Sequence, residues 1–127
     1  MPDAARRFAR RVFTGAAVYG IVALLPQYFL EDRIGRDAPP PITHPEHFYG
    51  FIGVTVAWQI AFLVIGRDPR RLRALMPVTV LEKLAFAVPV AMLWAKGRVG
   101  GSVLPFAAID LLLGALFLVS YLRTKLA

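Results

Sequence analysis

The sequence predicts an all-α protein, specifically an integral membrane four-helix bundle with both termini in the cytoplasm. Of its 127 residues, 57% are hydrophobic and only 18% are charged, which is more apolar surface than a water-soluble domain of this size could bury. Four apolar segments are each long enough to cross about 30 Å of hydrocarbon. Basic residues are concentrated on one side of these segments, and this asymmetry predicts the orientation.

The predicted spans cover residues 12–30, 47–65, 72–94 and 103–122 within a single transmembrane domain of residues 1–127. Each span must be helical, because an unpaired backbone group in lipid is strongly unfavourable. The first span follows a basic segment, as in a signal peptide. Its apolar stretch is too long for one and lacks a small-residue cleavage site, so we expect it to be retained.

Orientation follows from counting basic residues outside the spans. One side carries ten: Arg6, Arg7, Arg10, Arg11, Arg67, Arg70, Arg71, Arg73, Arg123 and Lys125. The other side carries four: Arg33, Arg36, Lys96 and Arg98. The positive-inside rule then predicts that both termini are in the cytoplasm. The expected location is the cell membrane, with the chain as a multi-pass protein of a bacterial inner membrane. The formal net charge of +7 is explained by topology and by attraction to anionic lipid, so no nucleic acid partner is predicted.

The outer connection, residues 31–46, is predicted to be a proline-rich loop with an extended centre at 37–42. Thr43 and Glu46 have the spacing of a capping box, and Pro45 suits the first turn of the second span. His44, Glu46 and His47 are also weak candidates for a metal site. We predict capping and polar anchoring here, with no bound metal or other cofactor. The absence of cysteine excludes disulfides and thiolate chemistry.

Small residues repeat every four positions in the first two spans. Ala16 and Gly20 form one such stripe. The other contains Gly53, Ala57 and Ala61, with Gly50 one turn earlier. Small residues at this spacing allow helix backbones to approach closely in lipid. Packing within the bundle is the favoured interpretation. The alternative is contact with a second copy of the chain or with another membrane protein.

Three ionisable side chains interrupt the most apolar parts of the chain. Glu82 and Lys83 lie in the middle of the third span, and Asp110 lies in the fourth. Charge at this depth is costly and commonly marks a functional site. Because consecutive spans joined by a short turn should be neighbours, Lys83 and Asp110 are the predicted ion pair. The Glu82 side chain points about 100° away from that of Lys83 around the helix axis, so it is expected to face a different partner.

Two carboxylates against one ammonium leave a net charge of −1 if all three groups are ionised. Because burial disfavours the ionised form, one carboxyl is expected to hold a proton at neutral pH. A group in this state suits a buried general acid, a proton carrier or a cation binder. Glu82 and Asp110 are therefore the candidate catalytic residues, with Lys83 as the supporting charge. In the alternative interpretation, the three groups only hold two helices together.

Aromatic and polar residues near the three charges suggest a small-molecule site, which is usually an apolar cavity with a few convergent polar groups. Phe86 lies one turn from Glu82, and Phe106 lies near the Asp110 face. The full set of candidate ligand-binding residues is Tyr19, Thr55, Gln59, Thr79, Phe86 and Phe106. Ordinary bundle packing is the alternative interpretation of the aromatic residues.

The stretch AIDLLLGALFLVSYLRT, at residues 108–124, resembles the last span of small bacterial four-span membrane proteins of the DoxX-like type. The resemblance is architectural and implies no settled function. More distantly, the chain resembles the EXPERA group, in which intramembrane acids face a lipophilic cavity. The catalytic residues of that group have no matching positions here.

Three functions are therefore considered. The first is binding of a lipophilic small molecule at Glu82, Lys83 and Asp110, with acid/base chemistry as an open addition. The second is a non-catalytic accessory or assembly subunit, and the third is a proton-coupled transporter or channel. The expected partners are the lipid bilayer, a lipophilic ligand, and a second copy of the chain or another membrane protein.

Overall fold

The computed structural model describes residues 3–125 and confirms the all-α prediction, with 84% helix and no strand in that range. The predicted domain of residues 1–127 extends two residues beyond this range at each end. The α-helices are α1 (Asp3–Leu24), α2 (Glu31–Asp37), α3 (Pro45–Arg67), α4 (Met76–Ala95) and α5 (Leu104–Arg123). Four segments are long and apolar enough to cross a membrane: Asp3–Phe29, Pro45–Arg67, Arg73–Ala95 and Gly101–Arg123.

Proline and glycine determine where several helices begin and end. Pro45, Pro77 and Pro105 lie in the first turns of α3, α4 and α5, where the missing N–H group has no partner to lose. Gly97 follows α4 with a φ of 70°. Its N–H donates to the Trp94 carbonyl, and the next N–H, that of Arg98, donates to the Leu93 carbonyl. This is a Schellman motif, in which glycine adopts the left-handed conformation without strain.

Two element boundaries differ from the sequence prediction. Helix α1 begins at Asp3, well before residue 12, because the basic N-terminal segment continues the helix beyond the apolar stretch. The first half of the predicted loop is α2, in which Arg33 and Asp37 form an i,i+4 ion pair at 3.5 Å. Acidic residues in its first turn and a basic residue in its last turn match the helix dipole, whereas the prolines that predicted an extended chain all follow it.

The predicted capping box at the start of α3 is wrong. His44 occupies the N-cap position, one residue later than predicted, and makes no side-chain capping bond. The Glu46 carboxylate instead contacts the His44 Nδ1 atom at 2.9 Å. Because Thr43 lies outside the cap, its hydroxyl is not positioned as a capping box requires.

The helices form two closely packed pairs, α1 with α3 and α4 with α5, which are joined by contacts between α1 and α5. At one end of the first pair, the Arg10 guanidinium donates to the carbonyls of Gly66 and Arg67. Arg73 connects the second pair by donating twice to the Tyr121 carbonyl, at 3.0 and 2.8 Å, and by lying over the Tyr121 ring.

The half of the bundle that contains the start of α1 and the end of α5 is filled by aromatic side chains. Phe13, Phe62 and Phe117 are fully buried. The Phe13 and Phe117 rings stack at 4.3 Å between centroids, and Phe62 lies 4.9 Å from Phe117. Small residues of α1, including Ala9, Ala16 and Ala17, pack against this cluster. The rest of the core, on the side of α2, is packed less completely.

The two small-residue stripes have different environments. Ala16 and Gly20 are buried inside the bundle, as predicted. Gly50 and Ala57 of α3 are exposed, so the prediction of internal packing is wrong for much of that stripe. The reason is that α3 turns a different face, which contains Ile52, Gln59 and Phe62, toward the core.

Candidate functional site

The three charges of the long apolar helices form one cluster around Lys83. Its Nζ atom lies 3.4 Å from Asp110 Oδ1 on α5 and 3.7 Å from Glu82 Oε2 on α4. The predicted proximity of Lys83 and Asp110 is confirmed. The expectation that Glu82 and Lys83 do not pair is wrong, because the flexible lysine stem brings the ammonium back between both carboxylates.

The neighbours of Lys83 explain how its long side chain fits inside the bundle. A Cβ atom at Gly114 would lie 3.3 Å from the Lys83 Cβ, so a larger residue would crowd the stem. The ammonium lies 5.1 Å from the centroid of the Phe62 ring, within range of a cation–π interaction. Lys83, only 3% exposed, therefore stands at the border between the aromatic core and the other half of the bundle.

A cavity of about 440 Å³ begins at this charged cluster and occupies that second half. It lies between the two helix pairs and includes one residue of α2, Ile34. Its remaining lining residues are Tyr19, Gly20, Ala23, Leu24, Gln27, Phe51, Thr55, Gln59, Glu82, Lys83, Phe86, Val103, Phe106 and Asp110. The cavity is therefore apolar along most of its wall and polar at its inner end.

Most of the predicted ligand-binding residues line this cavity. The structure brings Tyr19, Thr55, Gln59, Phe86 and Phe106 together with the three charged groups. Thr79 does not line the cavity. It is fully buried one turn before Lys83, and its hydroxyl donates to the Met76 carbonyl at 2.6 Å. Thr79 therefore belongs to the packed half of the bundle.

Gln59 is the most deeply buried polar residue of the cavity lining, with 1% exposure against 3% for Lys83. Its amide nitrogen donates to the Thr55 carbonyl at 2.9 Å. This bond fixes which amide atom is oxygen, because the reversed amide would place two oxygens together. Gly20 provides the room, since a Cβ atom there would overlap the Gln59 amide oxygen.

Two oxygen atoms of the cavity residues are buried without a hydrogen bond from residues 3–125: Gln59 Oε1 and Glu82 Oε2. Glu82 Oε2 faces the Lys83 ammonium, but at 3.7 Å the contact is too long for a hydrogen bond. A buried polar atom without a partner is costly, typically by about 1–3 kcal/mol. Such atoms are uncommon in folded proteins, and each one calls for an explanation. Here both belong to residues that line the same cavity.

Sequence reasoning missed several residues of the cavity. Gln27 and Ile34 lie at its outer part, and Phe51 stacks on Phe86 with ring centroids 6.1 Å apart. Gly20 could have been found from the sequence, because the small-residue spacing indicated close contact there. Ile34 could not have been found in this way, since the segment that forms α2 was predicted to be a loop.

The three candidate metal ligands at the start of α3 also converge. The ligand atoms of His44, Glu46 and His47 lie within 4.8 Å of one another, and all three residues are exposed. The imidazole–carboxylate contact between His44 and Glu46 accounts for much of this proximity. The group lies outside the cavity lining.

No protein-family model matches this chain, and no curated protein or solved structure is significantly similar to it. The resemblance to DoxX-like proteins and to the EXPERA group therefore stays a prediction from architecture. The geometry of the cavity is the basis for assigning a function.

Proposed function

We propose that this protein is an integral membrane protein whose central cavity binds a lipophilic small molecule. The bundle spans the bilayer with both termini in the cytoplasm and with α2 on the outer side. The observation that carries the proposal is a cavity of about 440 Å³ with apolar walls that ends at three ionisable groups. Small-molecule sites typically have volumes of about 300–1,000 Å³ and combine apolar walls with a few polar groups.

The outer surface of the bundle supports the membrane assignment. Large apolar side chains face outward on the long helices, including Val22, Leu81 and Leu112, with exposures of 68%, 64% and 59%. A soluble monomer rarely exposes extensive apolar patches. In a bilayer these side chains contact acyl chains, and the basic residues near both chain ends face the cytoplasmic leaflet.

The charged cluster gives the site a capacity for proton transfer. Glu82 and Asp110 both contact Lys83, and both line the cavity. A carboxyl group beside an apolar ligand can orient the ligand by hydrogen bonding or exchange a proton with it. We assign these carboxyls to ligand binding first, with acid/base chemistry as a further property of the same groups.

The exposed part of the α3 stripe favours the accessory-subunit alternative. Gly50 and Ala57 lie outside the packed core, where small residues allow close approach of another helix. A transport function has less support. The aromatic cluster of Phe13, Phe62 and Phe117 fills the half of the bundle opposite the cavity, so the cavity does not continue through the chain.

The proposal is tested by native mass spectrometry of protein released from lipid nanodiscs, with identification of retained molecules. The wild type is compared with Ala23→Phe, which adds a ring at the cavity wall. Its control is Ala85→Phe, which adds the same ring at an exposed position. We expect a retained lipophilic molecule in the wild type and the control, and its loss in Ala23→Phe. Equal retention in all three proteins would contradict a site in the cavity.

A further inference from the structure

The hydrogen-bonding groups of the cavity define the head group that it can take. Gln59 Oε1 and Glu82 Oε2 are acceptors that receive no hydrogen bond from residues 3–125. The side-chain nitrogen donors of the cavity are already engaged: the amide nitrogens of Gln27 and Gln59 bond to backbone carbonyls, and the Lys83 ammonium faces Asp110 and Glu82. The other donors of the lining are the hydroxyls of Tyr19 and Thr55. A ligand that carries only acceptors, such as an ester or a quinone, leaves both oxygens unsatisfied. A ligand with donors satisfies them.

The charge of the cluster favours a head group that carries a positive charge. One ammonium, on Lys83, faces the carboxylates of Glu82 and Asp110. With all three groups ionised the cluster carries a net charge of −1, and the field of an unbalanced charge is strong in a medium of low dielectric. In the ligand-free protein a proton on one carboxyl neutralises this charge. A cationic head group can take the place of that proton, whereas an anionic head group increases the negative charge.

The shape of the cavity determines where the head group lies. The polar groups are at the inner end, beside the fully buried Phe62 ring. Apolar residues from all five α-helices line the remaining wall, among them Leu24, Ile34, Phe51, Phe86 and Phe106. An amphiphile therefore fits with its head at the centre of the bundle and its apolar tail toward α2.

We propose that the ligand is a lipophilic ammonium whose N–H groups donate to Gln59 Oε1 and Glu82 Oε2. This inference rests on the proposed function, since it names the chemical class of molecule for that cavity. An N–H ammonium supplies both the positive charge and the donors. A quaternary ammonium supplies only the charge, and an alcohol supplies only a donor.

Three probes with the same alkyl chain separate these contributions: decylammonium, decyltrimethylammonium and decanol. Each is titrated into the full-length protein in nanodiscs, with binding followed by intrinsic tryptophan fluorescence and by thermal unfolding. Ala23→Phe measures the background from partitioning into lipid. We expect decylammonium to bind with an affinity about tenfold or more above either other probe, the change that corresponds to losing one charge-assisted hydrogen bond.

Two variants test the acceptors directly. Glu82→Gln and Gln59→Leu should each reduce the preference for decylammonium by about tenfold. The matched control is Glu46→Gln, which removes an exposed carboxylate outside the cavity and should retain the preference. Thermal unfolding without probe shows whether each variant is folded. If Gln59→Leu does not fold, Glu82→Gln alone tests whether the ammonium preference depends on the buried acceptors.

The outcomes separate this inference from the function on which it rests. Saturable binding of all three probes with similar affinity, abolished by Ala23→Phe, would overturn the ammonium assignment and leave the cavity as a ligand site. Binding that Ala23→Phe does not change would overturn the ligand site itself. A preference for decylammonium that Glu82→Gln removes would support both.

Discussion

Lys83 is the residue on which the polar cluster depends. Its ammonium is almost completely buried and lies within 4 Å of two carboxylates from two helices. Isolated charges in such surroundings are strongly unfavourable, so the three groups are stable only together. The consequence is an asymmetry: removing the shared cation leaves two acids unbalanced, whereas neutralising one acid still leaves a complete ion pair.

This asymmetry predicts the relative stability of two variants. Lys83→Met should destabilise the protein by about 3–5 kcal/mol, the usual cost of breaking a buried ion pair. Asp110→Asn should cost less and should mainly weaken ligand binding, because the amide keeps an oxygen beside Lys83. Lys96→Met, at an exposed position, controls for the loss of a lysine. Thermal or denaturant unfolding in detergent compares the three variants, and equal losses for Lys83→Met and Asp110→Asn would refute the asymmetry.

A substitution at Gly20 should also affect ligand binding. A Cβ atom at this position would overlap the Gln59 amide oxygen, so Gly20→Ala should displace that side chain into the cavity. We expect ligand affinity to fall by about tenfold, as when one buried hydrogen bond is lost. Gly15→Ala is the matched control on the same helix, since its Cβ would have no atom within 4 Å. Identical binding by the two variants would show that Gln59 does not depend on Gly20.

Helices α4 and α5 act as a unit because they hold the charged cluster between them. The turn that joins them is fixed by Gly97, and Arg73 closes the other end of the pair through the Tyr121 carbonyl and ring. The Lys83–Asp110 contact lies between these two attachments. Both attachments therefore hold together the two helices that carry the carboxylates.

Loss of the Arg73 attachment should loosen this helix pair. Arg73→Gln removes the guanidinium that donates twice to Tyr121 and covers its ring, and we expect a loss of about 1–3 kcal/mol in unfolding free energy. Arg70→Gln removes the same charge at an exposed position in the same connection. Chemical unfolding that gives the same stability for the two variants would argue against a structural role for Arg73.

Most elements of this fold could be predicted from sequence, because hydrophobic length predicts membrane helices directly. The Lys83–Asp110 proximity was also predictable, since a short turn makes α4 and α5 neighbours. Helix α2 was missed because its residues are polar and lie beside prolines. The pairing of Glu82 with Lys83 was missed because helix geometry sets the direction of the Cβ atoms but not the course of a long side chain. The exposure of Gly50 and Ala57 in the α3 stripe depends on how the helices pack, which residue spacing alone does not determine.

The complete bundle predicts a defined orientation in the membrane. Because the chain has no cysteine, single cysteines can be introduced without removing any. In spheroplasts of a bacterial expression host, an impermeant thiol reagent should label Ala38→Cys and Ser102→Cys. It should label Ala4→Cys and Asp68→Cys only after lysis. All four positions are exposed, so access depends on the side of the membrane, and the reverse pattern would place the termini outside.

The location of the ligand can be measured by photolabelling in nanodiscs, using decylammonium and decanol that carry a diazirine on the alkyl chain. If the cavity is the binding site, adducts on at least one probe will map to Tyr19, Leu24 or Phe86, which line it and are buried or half-buried. Excess unlabelled probe will suppress them, and Ala23→Phe will lack them. Adducts confined to outward-facing residues such as Leu81 and Leu112, unchanged by competitor, would mean that the cavity binds neither amphiphile and that the protein acts in another way.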